Sequence, residues 1–321
     1  MPGIIDADTH IAESENMWKY FDPSMYHRRP VMVSAPDDTL YRDFNVLWLI
    51  DGNIFPKASG KGGFRIITPT ASKREAGRTD IALGCREITD VPARLADMDN
   101  AGVETQVIYP TLFLIDVTDD TNLQVALCGA YNKFLGEVYR KSNNRLRWVT
   151  VLPLKSVDES IKQMHEAKQN GAVGIFFSGI VGALTLNNPH FMPIYAEAEK
   201  LGLPICIHTG QSCRHLLDFF DLELNGTFAT SHLPPNWLPR LGRQRDSREI
   251  SQLEVWLFGS FSELGAVSLS SPKTLRAPTS KLSQRPLETR IVQRSLPRLP
   301  HLRRLRSRRR HTVPGGIHRR R

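Results

Sequence analysis

The sequence predicts an α/β protein, a (β/α)8 barrel whose last two β/α units are missing or scrambled. From Val91 to about residue 235, apolar segments alternate with amphipathic ones, as in parallel strands covered by helices. Its 321 residues exceed the roughly 250 that one such barrel needs. An open doubly wound sheet is the alternative, but no Gly-rich phosphate-binding turn follows the first apolar segment.

The elements follow from local patterns. Residues 3–10 (GIIDADTH) predict a buried strand, and residues 14–90 predict an irregular insertion that covers the site as a lid. Helices are predicted at 91–102, 121–142, 156–170 and 189–202. Strands are predicted at 104–110, 146–154, 172–177, 203–210 and 227–232.

Helix ends carry their own signals. Gly102 and Gly171 stand where two predicted helices end, because glycine readily adopts the left-handed conformation after a last helical turn. Ser156, with Glu159 three residues later, has the capping-box pattern of a helix start.

Charge divides the chain into two parts. Residues 1–235, the predicted barrel domain, carry a net charge of −6, whereas residues 236–321 carry +15. After Pro235 the strand and helix patterns fade, so we expect residues 236–321 to be a mostly disordered basic tail. Such asymmetry indicates either a nucleic-acid-binding arm or two stretches of different origin. Aromatic residues for base stacking are nearly absent from the Arg-rich end, which argues against nucleic acid as a partner.

Composition also bears on compartment. No run of 18 apolar residues and no N-terminal signal peptide is present, so we expect no membrane association. Four cysteines lack close CxxC pairing, which is typical of a reduced cytoplasmic protein.

Polar side chains end the apolar strands. Asp8 and His10 close the first strand on the same face, His208 closes the fifth, and His232 closes the sixth. A lone histidine at a strand end is usually structural. Because parallel strands of a barrel end at one rim, however, a carboxylate and two or three imidazoles here would suit Zn²⁺ or a similar ion.

Several segments together resemble the amidohydrolase-related family, which includes aminocarboxymuconate-semialdehyde decarboxylase and the aromatic-acid decarboxylases. The segments are IIDADTHIAE, RLADMDNAGVETQVIYPTLF, LRWVTVLPL, GAVGIFF and LGLPICIHTG. The resemblance implies a barrel of the metal-dependent hydrolase type that binds Zn²⁺, with Mn²⁺ as the alternative. It assigns metal ligation to Asp8, His10 and His208, and proton exchange to His232.

The implied reaction is decarboxylation of an aromatic or unsaturated carboxylic acid, or hydrolysis by the same groups. The expected partner is a small carboxylic acid, and a homodimer is one assembly to consider. The family has a fourth ligand, an Asp in a Gly-Ser-Asp segment after strand eight, which this chain lacks. An inactive, truncated homologue is therefore the second hypothesis, and a nucleic-acid-binding protein the third.

A shifted reading frame would explain why this chain lacks the family's Gly-Ser-Asp segment. When synonymous codons from Asn236 onward are read one base forward, they permit IGFRDLVANGIPERFPNLRFGF, which resembles the family sequence expected after HLPP. In the shifted frame, the codons that overlap Trp237-Leu238 and Trp256-Leu257 can encode only glycine, and both glycines fit the family-like string. We therefore hypothesise that the chain from about Asn236 is out of frame.

Overall fold

A seven-stranded sheet organises the molecule. The computed structural model describes residues 4–39, 41, 44–56, 68–73 and 81–208, and the backbone of 254–258 and 265–268. With all strands of the chain numbered in sequence, the strands of this sheet are, in their spatial order, β1 (Ile4–His10), β5 (Val103–Tyr109), β6 (Leu146–Thr150), β7 (Ala172–Ser178), β10 (Ile205–His208), β11 (Glu254–Phe258) and β12 (Gly265–Ser268). Each pairing from β1 to β11 is parallel.

Helices connect these strands, and those between residues 91 and 202 lie where they were predicted. They are α1 (Glu15–Trp18), α2 (Leu83–Glu87), α3 (Val91–Asn100), α4 (Thr121–Lys141), α5 (Val157–Gln169) and α6 (Met192–Leu201). Short 3-10 turns span Pro23–Arg28, Leu112–Leu114 and Pro189–Phe191. Asp120 caps α4 by accepting a hydrogen bond from Leu123 N, and Ser156 Oγ accepts a longer one from Glu159 N at 3.5 Å. Gly102 and Gly171 have positive φ, as their positions after helices require. Within the described residues, no helix is long and apolar enough to cross a membrane.

Helix α4 packs on the sheet through buried aromatic and polar contacts. Tyr131 of α4 lies edge-on to Trp148 of β6, and both are fully buried. Asn132 uses its whole amide: Nδ2 donates to Val151 O and Gln163 Oε1, and Oδ1 accepts from Thr150 Oγ1 and Val151 N. Because every group of this buried amide is paired, it fixes the end of β6 relative to α4.

The sheet curls strongly between β1 and β10. These two strands are four pairings apart in the sheet order, which in a flat sheet would separate them by about 19 Å. Yet Nε2 of His10 on β1 lies 3.2 Å from Nε2 of His208 on β10. A parallel sheet bent this far has the curvature of a barrel, so the ends of its first and fifth parallel strands meet.

The insertion departs from the prediction of irregular structure for residues 14–90. It contains a three-stranded antiparallel sheet of β2 (Val31–Ser34), β3 (Val46–Ile50) and β4 (Asn53–Phe55). A two-stranded ribbon, β8 (Ile180–Val181) with β9 (Leu184–Thr185), follows β7. Strands this short show little periodicity in the sequence, because their pairing is decided by contacts with the rest of the fold.

Two strands of the main sheet come from the predicted basic tail. β11 adds to β10 in parallel, and β12 then runs antiparallel to β11. Strand patterns fade after Pro235 in the sequence, yet these two segments form strands. Most of residues 236–321 lie outside the described part of the chain, so the mostly disordered tail stays a prediction. Among the described residues, six strands of the main sheet run in parallel. The strand predicted at 227–232 lies outside the described residues.

Candidate metal site

Asp8, His10 and His208 meet at the rim where the parallel strands end. His10 Nε2 lies 3.2 Å from His208 Nε2 and 3.7 Å from Asp8 Oδ1, and His208 Nε2 lies 3.4 Å from the same Asp8 oxygen. No other group of three or more metal-ligating side chains comes together among the residues that the structure describes. The three side chains that the sequence predicted to converge thus do so.

The spacing of the three atoms suits a divalent cation. A tetrahedral zinc ion with ligand distances near 2.1 Å would separate its ligand atoms by about 3.4 Å. The observed separations of 3.2, 3.4 and 3.7 Å bracket this value. One carboxylate oxygen and two imidazole nitrogens are also the donors that zinc and related ions prefer.

The three side chains differ in how deeply they are buried. His208 is 7% exposed, whereas the side chains of His10 and Asp8 are 31% and 37% exposed. Aromatic rings of Tyr109 and Phe176 lie 5.5 and 6.4 Å from the His208 ring. The His208 end of the site is therefore buried beside aromatic rings, whereas the Asp8 and His10 end is partly exposed.

A backbone contact orients His10. The ring nitrogen Nδ1 lies 2.8 Å from the carbonyl oxygen of Pro110. A carbonyl oxygen can only accept, so Nδ1 must carry the proton and donate it. The Nε2 lone pair is thereby free to point at the shared centre.

The ionisation of the site favours cation binding. Burial lowers the pKa of His10 and the charge of His208 lowers it further, which outweighs the opposing effects of the Pro110 contact and the nearby aspartates. Burial raises the pKa of Asp8, but the hydrogen bond and charge of His208, with the charge of His10, bring it below its ordinary value. Near neutral pH, His10 is therefore neutral and Asp8 ionised, the forms in which both bind metals.

Other residue types that could bind a metal make structural contacts away from the group of three. Asp6 accepts hydrogen bonds from Asp8 N and Gln106 Nε2 and stands outside the group of three. His165 pairs with Glu197, and His190 Nε2 lies 2.7 Å from the Leu154 carbonyl oxygen. His232 lies outside the described residues, so its predicted catalytic role stays a prediction.

Sequence reasoning missed two features beside the site. Glu13, three residues after His10, is 4% exposed, and the available signal was an acidic side chain directly after Ile11 and Ala12. A cavity of about 60 Å³ lies beyond Phe176, with Phe113, Val151 and Ser178 among its lining residues. An engineered cavity that binds benzene measures about 150 Å³, so this one is too small for an aromatic ring.

Comparisons with known proteins identify a matching family and a relative of known name. A family model described as amidohydrolase matches residues 5–254. Gamma-resorcylate decarboxylase from Rhodococcus jostii (strain RHA1) is 24% identical over 132 residues, 38% of this chain and 40% of that protein.

Two solved structures have partial similarity. An amidohydrolase from Mycobacterium avium subsp. paratuberculosis K-10 has 18% identity and a TM-score of 0.49, over 66% of this chain and 59% of that one. A 5-carboxyvanillate decarboxylase from Novosphingobium aromaticivorans DSM 12444 has 18% identity and a TM-score of 0.43, over 67% and 53%. The chain thus spans about half the length of these relatives.

The family match covers most of the chain, including β1 and β10, which carry the three converging side chains. Together with the curled parallel sheet, it confirms the predicted barrel class and the resemblance noted from the sequence motifs. The chain belongs to the amidohydrolase family.

Proposed function

We propose that Asp8, His10 and His208 bind a divalent cation, with zinc preferred over manganese. The observation that carries this proposal is the convergence of one carboxylate oxygen and two imidazole nitrogens, 3.2–3.7 Å apart, at the rim of a parallel sheet. The burial of His208 beside aromatic rings supports it further, because electrostatic interactions strengthen where water is excluded.

The reaction that fits this site is the decarboxylation of an aromatic or unsaturated carboxylic acid, with hydrolysis as the alternative. One anionic and two neutral ligands would leave a dication with a net charge of +1, which favours a carboxylate substrate. The cation would supply the positive charge that stabilises negative charge developing as CO₂ leaves. The name of the relative from Rhodococcus jostii supports decarboxylation.

The protein's own residues have separate tasks in this proposal. Asp8 contributes charge, His10 presents Nε2 because Nδ1 is engaged by Pro110, and Tyr109 with Phe176 excludes water beneath His208. His232 would exchange a proton with the substrate carbon or with water, the role that the family resemblance assigns to it.

Metal titration tests the site. Zinc is titrated calorimetrically into the metal-free full chain, and one ion per chain is expected. Asp8→Asn and His208→Ala should each weaken binding by more than the 10–100-fold typical of losing a supporting partner. His165→Ala, which removes a histidine paired with Glu197 elsewhere, is the matched control and should bind as the wild type does. A wild-type chain without stoichiometric zinc would overturn the proposal.

An activity assay separates the two reactions. Gamma-resorcylate is offered to the zinc-loaded chain, and CO₂ release indicates decarboxylation, whereas hydrolysis releases none. His232→Ala should keep zinc binding and lose turnover. Zinc binding without turnover of any carboxylic acid would favour the inactive homologue.

The frame of the C-terminal segment decides between an active and an inactive chain. We propose that residues from about Asn236 are read out of frame, although the family match continues to residue 254. Sequencing the DNA through codon 236 tests this, and a shifted frame without the family-like string would refute it. The family match also favours an enzyme over a nucleic-acid-binding arm, because it includes both strands that carry the candidate ligands.

A further inference from the structure

The carboxylate of Glu13 binds the backbone that follows β5. Its Oε1 accepts a hydrogen bond from Thr111 N at 2.8 Å, and its Oε2 accepts one from Leu112 N at 2.9 Å. The side chain is almost fully buried, and its partners lie about a hundred residues away in the chain. A buried carboxylate that spends both oxygens on two consecutive amides fixes the orientation of that short segment.

The same segment begins with the carbonyl group that orients His10. Pro110 O accepts from His10 Nδ1 at 2.8 Å, and Thr111 N, bound by Glu13, belongs to the adjoining peptide unit. Because the Pro110 carbonyl and the Thr111 amide share one rigid plane, fixing the amide also fixes the carbonyl. The β1 backbone adds a second link, since Ile11 N donates to Tyr109 O at 3.1 Å.

A neutral side chain could not repeat this arrangement. Glutamine has the same length, but only its oxygen accepts, and its NH₂ group would face an amide N–H. One of the two amides would then lose its acceptor in a buried place, which favours a local rotation of the peptide. The choice of a carboxylate here, despite the cost of burying its charge, thus matches the need for two acceptors.

We propose that Glu13 is a positioning residue, which fixes the 110–111 peptide so that His10 keeps its Nδ1 proton and presents Nε2 to the cation. The inference rests on the proposed function for its metal-binding consequence. The effect on the His10 ring, however, is present in the metal-free protein and is measured independently.

The test compares Glu13→Gln with the wild type and with Glu87→Gln. Glu87 is another buried glutamate, and the hydrogen bond that it accepts from Thr70 Oγ1 involves neither Pro110 nor His10, so it controls for general destabilisation. Long-range ¹⁵N–¹H spectra of the metal-free proteins report which nitrogen of His10 carries the proton. They are recorded at pH 8, because burial raises the pKa of Glu13 to about 7 and only the ionised carboxylate can accept from both amides. Zinc affinity is measured by competition with a chelator.

We expect His10 to be protonated at Nδ1 in the wild type and Glu87→Gln, and to mix tautomers in Glu13→Gln. Zinc affinity should fall by about 10–100-fold in Glu13→Gln alone. Wild-type tautomer and affinity in folded Glu13→Gln would overturn the inference. A wild type that binds no zinc would defeat the proposed function and leave the tautomer test intact.

Glu13→Asp gives the test a second variant if Glu13→Gln does not fold. It keeps the charge but withdraws the oxygens by one methylene, so at most one amide stays in reach. Partial tautomer mixing and an intermediate zinc affinity are expected. Indistinguishable behaviour of Glu13→Asp and the wild type would also contradict the positioning role.

Discussion

Gly174→Ala probes how closely β7 packs against β10 behind the candidate site. A Cβ at position 174 would lie 2.5 Å from Cys206 Sγ and 3.4 Å from the Pro204 carbonyl oxygen. The strands cannot easily move apart, because Ile175 N donates to the same Pro204 carbonyl at 2.9 Å. Overpacking of this kind costs about 1–3 kcal/mol. Replacing a strand glycine recovers about 0.5–1 kcal/mol, so a net loss between about 0 and 2.5 kcal/mol is expected.

A double-mutant cycle isolates the contact. Cys206→Ala removes Sγ from a buried place and should cost about 1 kcal/mol through the lost packing. In the double variant the methyl group introduced at position 174 occupies the space that Sγ vacates. We therefore expect the double variant to be more stable than the sum of the single losses predicts, by about 1–2 kcal/mol.

Urea unfolding of the four proteins, followed by circular dichroism, measures these free energies. Losses that add within about 0.5 kcal/mol would refute the reasoning, because they would show that the two side chains do not compete for the same space. Since Cys206 is two residues before His208, zinc affinity of the same four proteins shows whether the strain reaches the candidate ligand.

Two more predictions concern buried polar groups. Burial raises the pKa of Glu13 to about 7 from an ordinary 4.5, so its protonation favours the folded state. This contribution of Glu13 to the free energy of unfolding is present in full below pH 4.5 and is lost as the pH rises through 7. Between pH 4.5 and 8 the wild type should thus lose about 3 kcal/mol relative to Glu13→Gln, and a pH-independent difference in urea unfolding would contradict this. Asn132→Ala should cost about 3 kcal/mol, because it leaves the Val151 backbone and Thr150 with unpaired buried groups. A loss under about 1 kcal/mol in the same assay would show that the network relaxes.

Sequence patterns predicted the part of the fold that repeats. Helices α3 to α6 and strands β5 to β10 of the main sheet lie where alternating apolar segments and helix-ending glycines indicated. The convergence of Asp8 and His10 with His208 was predictable for a related reason: parallel strands of a curled sheet end at a common rim. These features depend on local periodicity and on one topological rule.

Features set by distant contacts were not predictable. The pairing of β2 with β3 joins short segments that show no clear alternation in the insertion. The role of Glu13 depends on amides about a hundred residues later, and the antiparallel direction of β12 depends on its pairing with β11. In each case the deciding interaction is absent from the local sequence, so periodicity carries no signal of it.

The separation of the candidate ligands in the chain has a consequence for biosynthesis. His10 and His208 are 198 residues apart, so Asp8 and His10 leave the ribosome long before His208 has been synthesised. The three candidate ligands can come together only after β10 has joined the sheet. Pairing of segments so far apart in the sequence slows folding. A cation that binds only at that stage would raise the free energy of unfolding by about 2.7 kcal/mol at a free concentration one hundred times its dissociation constant.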